Sequence, residues 1–522
     1  LTMDATGAEN HCTILVIEPS DVEADMLWVS TDDGRVHYTQ NGGTQWTEVT
    51  KNIKGLPKGS WIPQIKASKT TKGEALLVAN DYRRFNYTPY VYRTKNYGKT
   101  WERIVDSNDV TSYALSIVED KEEPNLLFLG TDDGLYISID KGDKWIKWTE
   151  GFPTVSVKDL VIHPREQDLV IGTFGRAAWV LDDIRPLRAI AKNQTLLQKS
   201  IHLFDPPTAY QAAYQQPTGS RFGGDAMFNG ENRDSGAQFS YYLNVKEKET
   251  ITKNEDKTEE DETEDSTTVK WDSLQLQLFD GDRLIRTLKQ KAPKDDGFHT
   301  WRWNMDEKGV KRPSKKLSKS KRESSGVQVL PGTYRAVISY GDQNSETSIE
   351  VQNDPRIQQN ATAIQAVYET SKAFEHFQEI TANAVKQLVE SKNTVSEFSD
   401  KLSEKVEKLN KDALKNCKEI TKKIDTLLAL YFGKNDTRQG ITSDPVVSVT
   451  ERIGTALYYI STRQNGITDT EQILIKQAKT AIEGALKATN DFFENEWITF
   501  KSEMETIDLS PFKSHKTFEL KN

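Results

Sequence analysis

Residues 125–150, NLLFLGTDDGLYISIDKGDKWIKWTE, contain two apolar runs, an Asp-Asp-Gly turn, a second turn SIDKGDKW and a final Trp-led run. The alternating, β-branched and aromatic runs read as strands, and the Asp-Gly at Asp133–Gly134 has the turn chemistry of a tight hairpin. The pattern recurs. TQNGGTQW (Thr39–Trp46) and TKNYGKTW (Thr94–Trp101) align with SIDKGDKW (Ser138–Trp145), and Asn41, Asn96 and Asp140 are spaced 55 and 44 residues apart. Repeats of this length, each holding four short strands, predict the blades of a β-propeller.

Each repeated turn has the form of an Asp box. The Asn or Asp side chain closes the turn, Gly43, Gly98 or Gly142 supplies the unusual backbone angle, and Trp46, Trp101 or Trp145 is expected to plug between neighbouring sheets. This work is structural, and it lies on the loop joining third and fourth strands. Ligand sites are expected at the opposite end, on the loops joining second and third strands. The fourth unit, VKDLVIHPREQDLVIGTFGRAAWVLDD, offers three strands and breaks at IRPL without a box. Four blades make a small ring, so further blades are expected upstream, on the same or a separate chain.

The runs STDDGRVHYTQNGGTQWTEV, FLGTDDGLYISIDKGDKW and VIHPREQDLVIGTFGRAAWVLDDIRPL resemble the sortilin-related (VPS10-like) Asp-box propeller proteins of Gram-negative bacterial envelopes, often labelled glycosyl hydrolases. The resemblance implies a secreted or outer-membrane-associated protein with a leader, a large propeller, an Ig-like domain and a helical tail. The hydrolase label rests mainly on the propeller, and a fold does not decide a function. The opening LTMDATGAEN has neither an initiator methionine nor a leader pattern, so a removed leader or a fragment is expected.

The 522 residues are enough for about three domains. The expected architecture is a multidomain chain: residues 1–190 as the last four propeller blades, 191–353 as an Ig or fibronectin III-like β-sandwich, 354–505 as a four-helix bundle, and 506–522 as a tail. In the sandwich, Leu274, Leu276 and Leu278 alternate as one face of a strand requires. Two charged inserts interrupt it. Residues 246–265 hold ten acidic and four basic residues, and residues 311–322 hold seven basic ones; both read as solvated loops.

Beyond residue 353 the period becomes helical. Asp354 with Pro355 and Asp444 with Pro445 read as helix starts, and Thr394/Glu397 and Thr468/Glu471 read as capping boxes. Val395, Phe398, Leu402, Val406, Leu409, Ala413, Cys417, Ile420, Ile424 and Leu427 form one apolar stripe. The FFENEW segment, Phe492–Trp497, is expected to face the sandwich or a partner.

The formal net charge of -9 argues against nucleic acid, and no apolar run approaches the roughly 18 residues of a membrane span. The two cysteines, Cys12 and Cys417, are too far apart to suggest a disulfide framework, and the seven scattered histidines form no metal motif. No cofactor or metal is expected. Glycoside hydrolysis needs two carboxylates about 5 to 10 Å apart. Asp32, Asp33, Asp132 and Asp133 lie on turns of the binding end, where the Asp-Gly turn itself requires them. The ligand-binding candidates are therefore Tyr82, Arg83, Arg84 and Tyr87 in NDYRRFNYTP, together with Asp33, Asp133 and Arg176. Two functions compete: a binding or scaffold protein for peptide or glycan with partners in an envelope complex, and a sialidase-like glycoside hydrolase.

Overall fold

The computed structural model describes residues 12–212, 233–245, 273–317, 320, 322–358, 360–403, 410–434, 446–463 and 466–507. Four antiparallel sheets open it in a β-propeller-like series. The first holds β1 (Ile14–Pro19), β2 (Leu27–Thr31), β3 (Val36–Thr39) and β4 (Thr47–Glu48) in sequence order. The second holds β5 (Trp61–Ala67), β6 (Ala75–Asp81), β7 (Asn86–Thr94) and β8 (Glu102–Arg103), and the third β9 (Ala114–Glu119), β10 (Leu127–Thr131), β11 (Gly134–Ser138) and β12 (Ile146–Trp148). The fourth has three strands among the described residues, β13 (Val157–Ile162), β14 (Leu169–Thr173) and β15 (Ala178–Leu181).

Strand periodicity stacks the sheets. In β6, Leu77 and Ala79 enter the core shared with Trp28 and Val36 of the first sheet, while Leu76 and Val78 enter the core shared with Ile117 and Leu129 of the third. Successive side chains leave opposite faces of a strand, so a run buried on both sides reads as continuous apolar sequence. In the third sheet, Leu127 and Leu129 face the second sheet, and Leu126 and Phe128 face the fourth.

The three boxes close with one hydrogen-bond pattern. Ser138 Oγ donates to Asp140 Oδ1 at 2.7 Å and accepts from Gly142 N at 2.9 Å, while Asp140 Oδ1 also accepts from Lys144 N at 3.0 Å. Thr39 with Asn41, and Thr94 with Asn96, repeat these contacts. Gly43, Gly98 and Gly142 have φ of 93°, 71° and 96°, the left-handed region where a side chain is strained. Trp145 Nε1 donates to Ile104 O of the preceding sheet at 2.9 Å, and Trp101 packs edge-on to Trp28 at 6.0 Å. Trp46 departs from the expected plug. It is 45% exposed, because no sheet lies on its side of the first one among the described residues.

After β15, α1 (Arg185–Lys192) buries Ile190 and Ala191, and Arg188 forks onto the fully buried Asp120 at 2.6 and 2.8 Å. Two further sheets then share one core. One contains β16 (Ile201–Leu203), β18 (Ala237–Leu243) and β21 (Gly297–Trp303); the other runs β17 (Ala209–Gln211), β25 (Gln343–Asn353), β24 (Gly332–Tyr340), β19 (Ser273–Asp280), β20 (Arg283–Lys291). The hairpin of β22 (Asp306–Gly309) and β23 (Ser324–Gln328) lies beside them. Glu307 joins this region to the helices, accepting from Arg283 at 2.9 Å and from Tyr368 Oη at 2.7 Å and meeting Lys372 Nζ at 3.2 Å. The acidic insert at 246–265 lies outside the described residues.

The helical region comprises α2 (Ala361–Ser403), α3 (Asn410–Phe432), α4 (Val449–Ser461), α5 (Asp469–Asp491) and α6 (Ile498–Glu505), which share one apolar core. Several expectations are corrected here. Asp354 does not start a helix: its carboxylate holds Arg356, and α2 begins after Asn360, whose Oδ1 accepts from Thr362 N at 2.9 Å. Thr394 and Glu397 lie inside α2, where Thr394 Oγ1 donates to Glu390 O at 3.0 Å. The expected stripe is divided, with Val395 and Leu402 on α2 and Ala413, Cys417, Ile420 and Ile424 on α3. Val406, Leu409, Asp444 and Pro445 lie outside the described residues, and Ser448 caps α4. The FFENEW aromatics turn inward, since Phe492, Phe493 and Trp497 pack on the helical core through a π turn.

Thr468 and Glu471 do form a capping box at α5. The Thr468 hydroxyl bond, with Arg463 at 2.7 Å, holds the Glu471 carboxyl down at about 2 against its ordinary 4.5. A depressed folded pKa contributes stability that is fully present above the unfolded value and lost as pH falls through the folded one. Helical melting followed by circular dichroism is therefore expected to drop between pH 4.5 and about 2, with a smaller drop in that window for Glu471→Gln. Equal slopes for the two proteins would overturn the assignment.

Candidate functional site

Consecutive hairpin loops alternate between the two ends of an antiparallel sheet. The boxes occupy one end, so the loops β2–β3, β6–β7, β10–β11 and β14–β15 gather at the other. The structure puts Asp33, residues 82–85, Asp133 and Arg176 on these four loops.

Asp33 is engaged within its own turn, and Asp133 by its turn and by side chains before β9 and on β12. Asp33 accepts from Thr31 Oγ1 at 2.5 Å and from Arg35 Nε at 3.2 Å. Asp133 accepts from Thr131 Oγ1 at 2.7 Å and Thr111 Oγ1 at 2.8 Å, and meets Lys147 Nζ at 2.8 Å. Partial burial pushes both carboxyls up, but these donors more than offset it and both sit below the usual carboxylate range. A glycosidase's general acid needs the opposite shift. Asp33 and Asp133 belong to separate clusters, on the first and third sheets.

The β6–β7 loop carries the densest group. Residues Tyr82–Arg84 form a single 3₁₀ turn ended by Phe85, whose φ of 60° is left-handed and whose side chain is 85% exposed. Arg84 is a clamp: it forks onto Asp81, with Nε to Oδ1 at 2.6 Å, and donates to Lys58 O at 2.9 Å. Arg83 lies over the Trp61 indole with Cζ 3.7 Å from the ring centroid. Tyr82 stacks on Tyr113 at 4.8 Å and 17°, and Tyr87 meets the same ring at 6.0 Å. Burial and a hydrogen bond to Asp132 push the Tyr113 phenol up, so it stays protonated. Arg176 stands apart on the β14–β15 loop beside the 74%-exposed Phe174, and its carbonyl accepts from Trp179 Nε1 at 3.0 Å.

Trp61 and Tyr113 lie outside the stretches that the sequence singles out, and Asn80 and Asp81 open the NDYRRFNYTP stretch without being among its named candidates. Tyr113 was findable, because it occupies the same place before β9 that Thr13 occupies before β1: Tyr113 O accepts from Asp132 N at 3.2 Å, and Thr13 O from Asp32 N at 3.1 Å. Asp32, Asn80, Asp81, Trp61, Arg83 and Arg84 line one small pocket between the first and second sheets. Among the described residues, no group of three or more His, Cys, Asp or Glu is placed to hold a metal ion. No described helix is long and apolar enough to cross a membrane.

Over 150 residues the chain is 27% identical to an oligoxyloglucan-reducing end-specific xyloglucanase of Emericella nidulans, a match covering 26% of this chain and 17% of that protein. Among solved structures, the GH74 enzyme of Niastella koreensis is similar with a TM-score of 0.28 and 16% identity, over 33% of this chain and 28% of that one. YCF48 bound to a D1 peptide is similar with a TM-score of 0.25 and 15% identity, over 33% and 52% of the two chains. The chain thus spans less than a third of the xyloglucanase and of the GH74 enzyme. Residues 89–217, from β7 through the last of the four sheets and beyond, match the family model described as sortilin, neurotensin receptor 3, which is the likeness the boxes and the VIHPRE segment imply.

Proposed function

We propose that this chain is part of a secreted or envelope-attached, non-catalytic binding and scaffold protein. Its loop face takes peptide or glycan, and its C-terminal domains, an Ig-like sandwich and a helical bundle, mediate assembly. The observation that carries the reading is the composition of the face: three tyrosines, an indole and a guanidinium lie together, while Asp33 and Asp133 are held ionised by donors within their own sheets. Aromatic faces and guanidinium groups recur as contact anchors.

The open sheet faces support the participation of further blades, on the same or a separate chain. Ile17 and Trp46 are exposed on the first sheet, and Val161 and Val180, both in register with Val170, are exposed on the fourth. Inner sheets bury the equivalent faces against a neighbour, so these are surfaces of the same kind without one among the described residues.

The second reading, a glycoside hydrolase, is favoured by the xyloglucanase likeness. One experiment separates them: the chain, Asp33→Asn and Asp133→Asn are each offered xyloglucan oligosaccharides and screened on glycan and peptide arrays. We expect array binding, no turnover above the blank, and a stability loss of about 1 kcal/mol for Asp133→Asn as its charge-assisted bonds weaken. Turnover by the unmodified chain that either variant abolishes would replace the scaffold reading with the hydrolase one.

A further inference from the structure

We propose that the pocket between the first and second sheets docks the guanidinium of a peptide arginine, with Arg83 as the resident group that it displaces. This rests on the reading of the loop face as a ligand surface. The Arg83 guanidinium covers the Trp61 indole at 3.7 Å, and its Nε makes only a long hydrogen bond, 3.4 Å, to Tyr82 Oη. Asp32, Asp81 and Asn80 line the pocket; Asp81 already accepts from Arg84 Nε at 2.6 Å and Asn86 Nδ2 at 3.3 Å, and Asp32 Oδ1 from Thr13 N at 2.8 Å. Asn80 is 2% exposed, its Nδ2 donates to Ala114 O at 3.4 Å, and its Oδ1 accepts no hydrogen bond.

A buried amide oxygen without a donor is uncommon in a settled structure and marks a place for a donor to arrive. The resident cation therefore stacks on the indole without satisfying that oxygen. Arg84 is held on Asp81 and the Lys58 carbonyl and makes no hydrogen bond to Asn80 Oδ1. A guanidinium carries five donors in a planar fork, so an incoming one can stack on Trp61 while donating to Asn80 Oδ1. Charge favours the same ligand. A neutral sugar displacing Arg83 would leave Arg84 as the one cation among the lining residues against the two carboxylates of Asp32 and Asp81, whereas an arginine exchanges charge for charge. Tyr82 and Tyr87, packed on the buried Tyr113 ring beside the pocket, then offer aromatic contacts to the peptide next to that arginine.

The test uses the full chain with fluorotryptophan incorporated, the Trp61 fluorine resonance being assigned with Trp61→Phe. Acetyl-arginine amide is titrated against its neutral isostere acetyl-citrulline amide and against methyl glucoside. Arginine amide is expected to move the Trp61 resonance and citrulline amide to leave it in place. Arg83→Ala, a change at an exposed side chain, should tighten binding about two- to five-fold by removing the competitor for the indole. Asn80→Ala should weaken binding about five-fold or more. If glucoside moves the resonance and arginine amide does not, the arginine assignment is lost while the binding-face reading stands. If no probe moves it in either the wild type or Arg83→Ala, the pocket proposal is overturned; an array that also retains nothing then removes the wider reading.

Discussion

Replacing Gly130 by alanine is expected to lower the stability of the four-sheet region by about 3 kcal/mol or more, the upper range of overpacking costs. Gly130 lies in mid-β10, and a Cβ there would stand 2.2 Å from Ser116 Oγ, 2.6 Å from Val157 Cγ1 and 2.7 Å from Val157 O. The hydroxyl can rotate away. The Val157 carbonyl cannot, because it belongs to the strand that pairs with β14, and rotating the hydroxyl gives up the bond that it donates to this carbonyl at 3.3 Å. The methyl group therefore pushes the third and fourth sheets apart along the core that contains Leu126, Phe128, Leu160 and Ile171. Gly484→Ala is the matched control. That glycine is in α5 with open space around it, so the same chemical change is expected to stabilise by about 0.5 to 1 kcal/mol. Amide hydrogen exchange in β10 and β13 reads the first effect locally, and unchanged protection in Gly130→Ala would refute the close-contact argument.

The contrast between these glycines shows what a sequence can disclose. Local chemistry was legible: the three boxes, the alternation of Leu274, Leu276 and Leu278 in β19, and the Thr468/Glu471 cap all follow from residues within a few positions of each other. The box's leading hydroxyl was overlooked, although Thr39, Thr94 and Ser138 align as well as the Asn or Asp two residues later. Helix starts failed where the chain had a second option. The Thr394 cap is overridden because no Gly or Pro interrupts α2, so its hydroxyl bonds back within the helix instead. The Trp46 plug failed for want of a neighbouring sheet, which no local signal reports.

The site was legible to the same extent. Residues 82–87 stood out as a long, aromatic and basic loop, but Trp61 meets the loop through its pairing with Asn80 across their own sheet, and Tyr113 meets it only after the sheets stack. Gly130 belongs to this class too, since the carbonyl that forbids a side chain lies 27 residues away on another sheet. Contacts between repeats decide the packing and complete the face with Tyr113 and Asp32, and a repeat read alone cannot contain them.

The largest electrostatic effect is expected from such a contact. Arg93, on β7, is 4% exposed and donates to Lys141 O at 2.7 Å, with Glu74 Oε1 at 3.3 Å and Glu119 Oε2 at 3.5 Å on either side. Arg93→Met keeps the length of the stem and removes the charge, leaving two buried carboxylates facing each other with Lys141 Nζ 3.9 Å from Glu74. Breaking a buried pair from one side costs about 3 to 5 kcal/mol, because the surviving charge has lost its solvation and its partner. Burial and repulsion from Glu74 already push the Glu119 carboxyl up despite the guanidinium, so it is the group that takes a proton when Arg93 is removed. The pH dependence follows in sign. A carboxyl raised in the folded state binds more protons there than in the unfolded chain, so stability falls as pH rises through the two values. The Arg93→Met deficit is expected to be largest near neutrality and to shrink in mild acid. Adding Glu119→Gln removes one of the opposed charges and should restore about 1 kcal/mol or more at neutral pH, a coupling typical of residues in contact. Denaturant unfolding of the single and double variants at the two pH values measures it, and a deficit equal at both, with no recovery in the double variant, would show that Arg93 acts through packing alone.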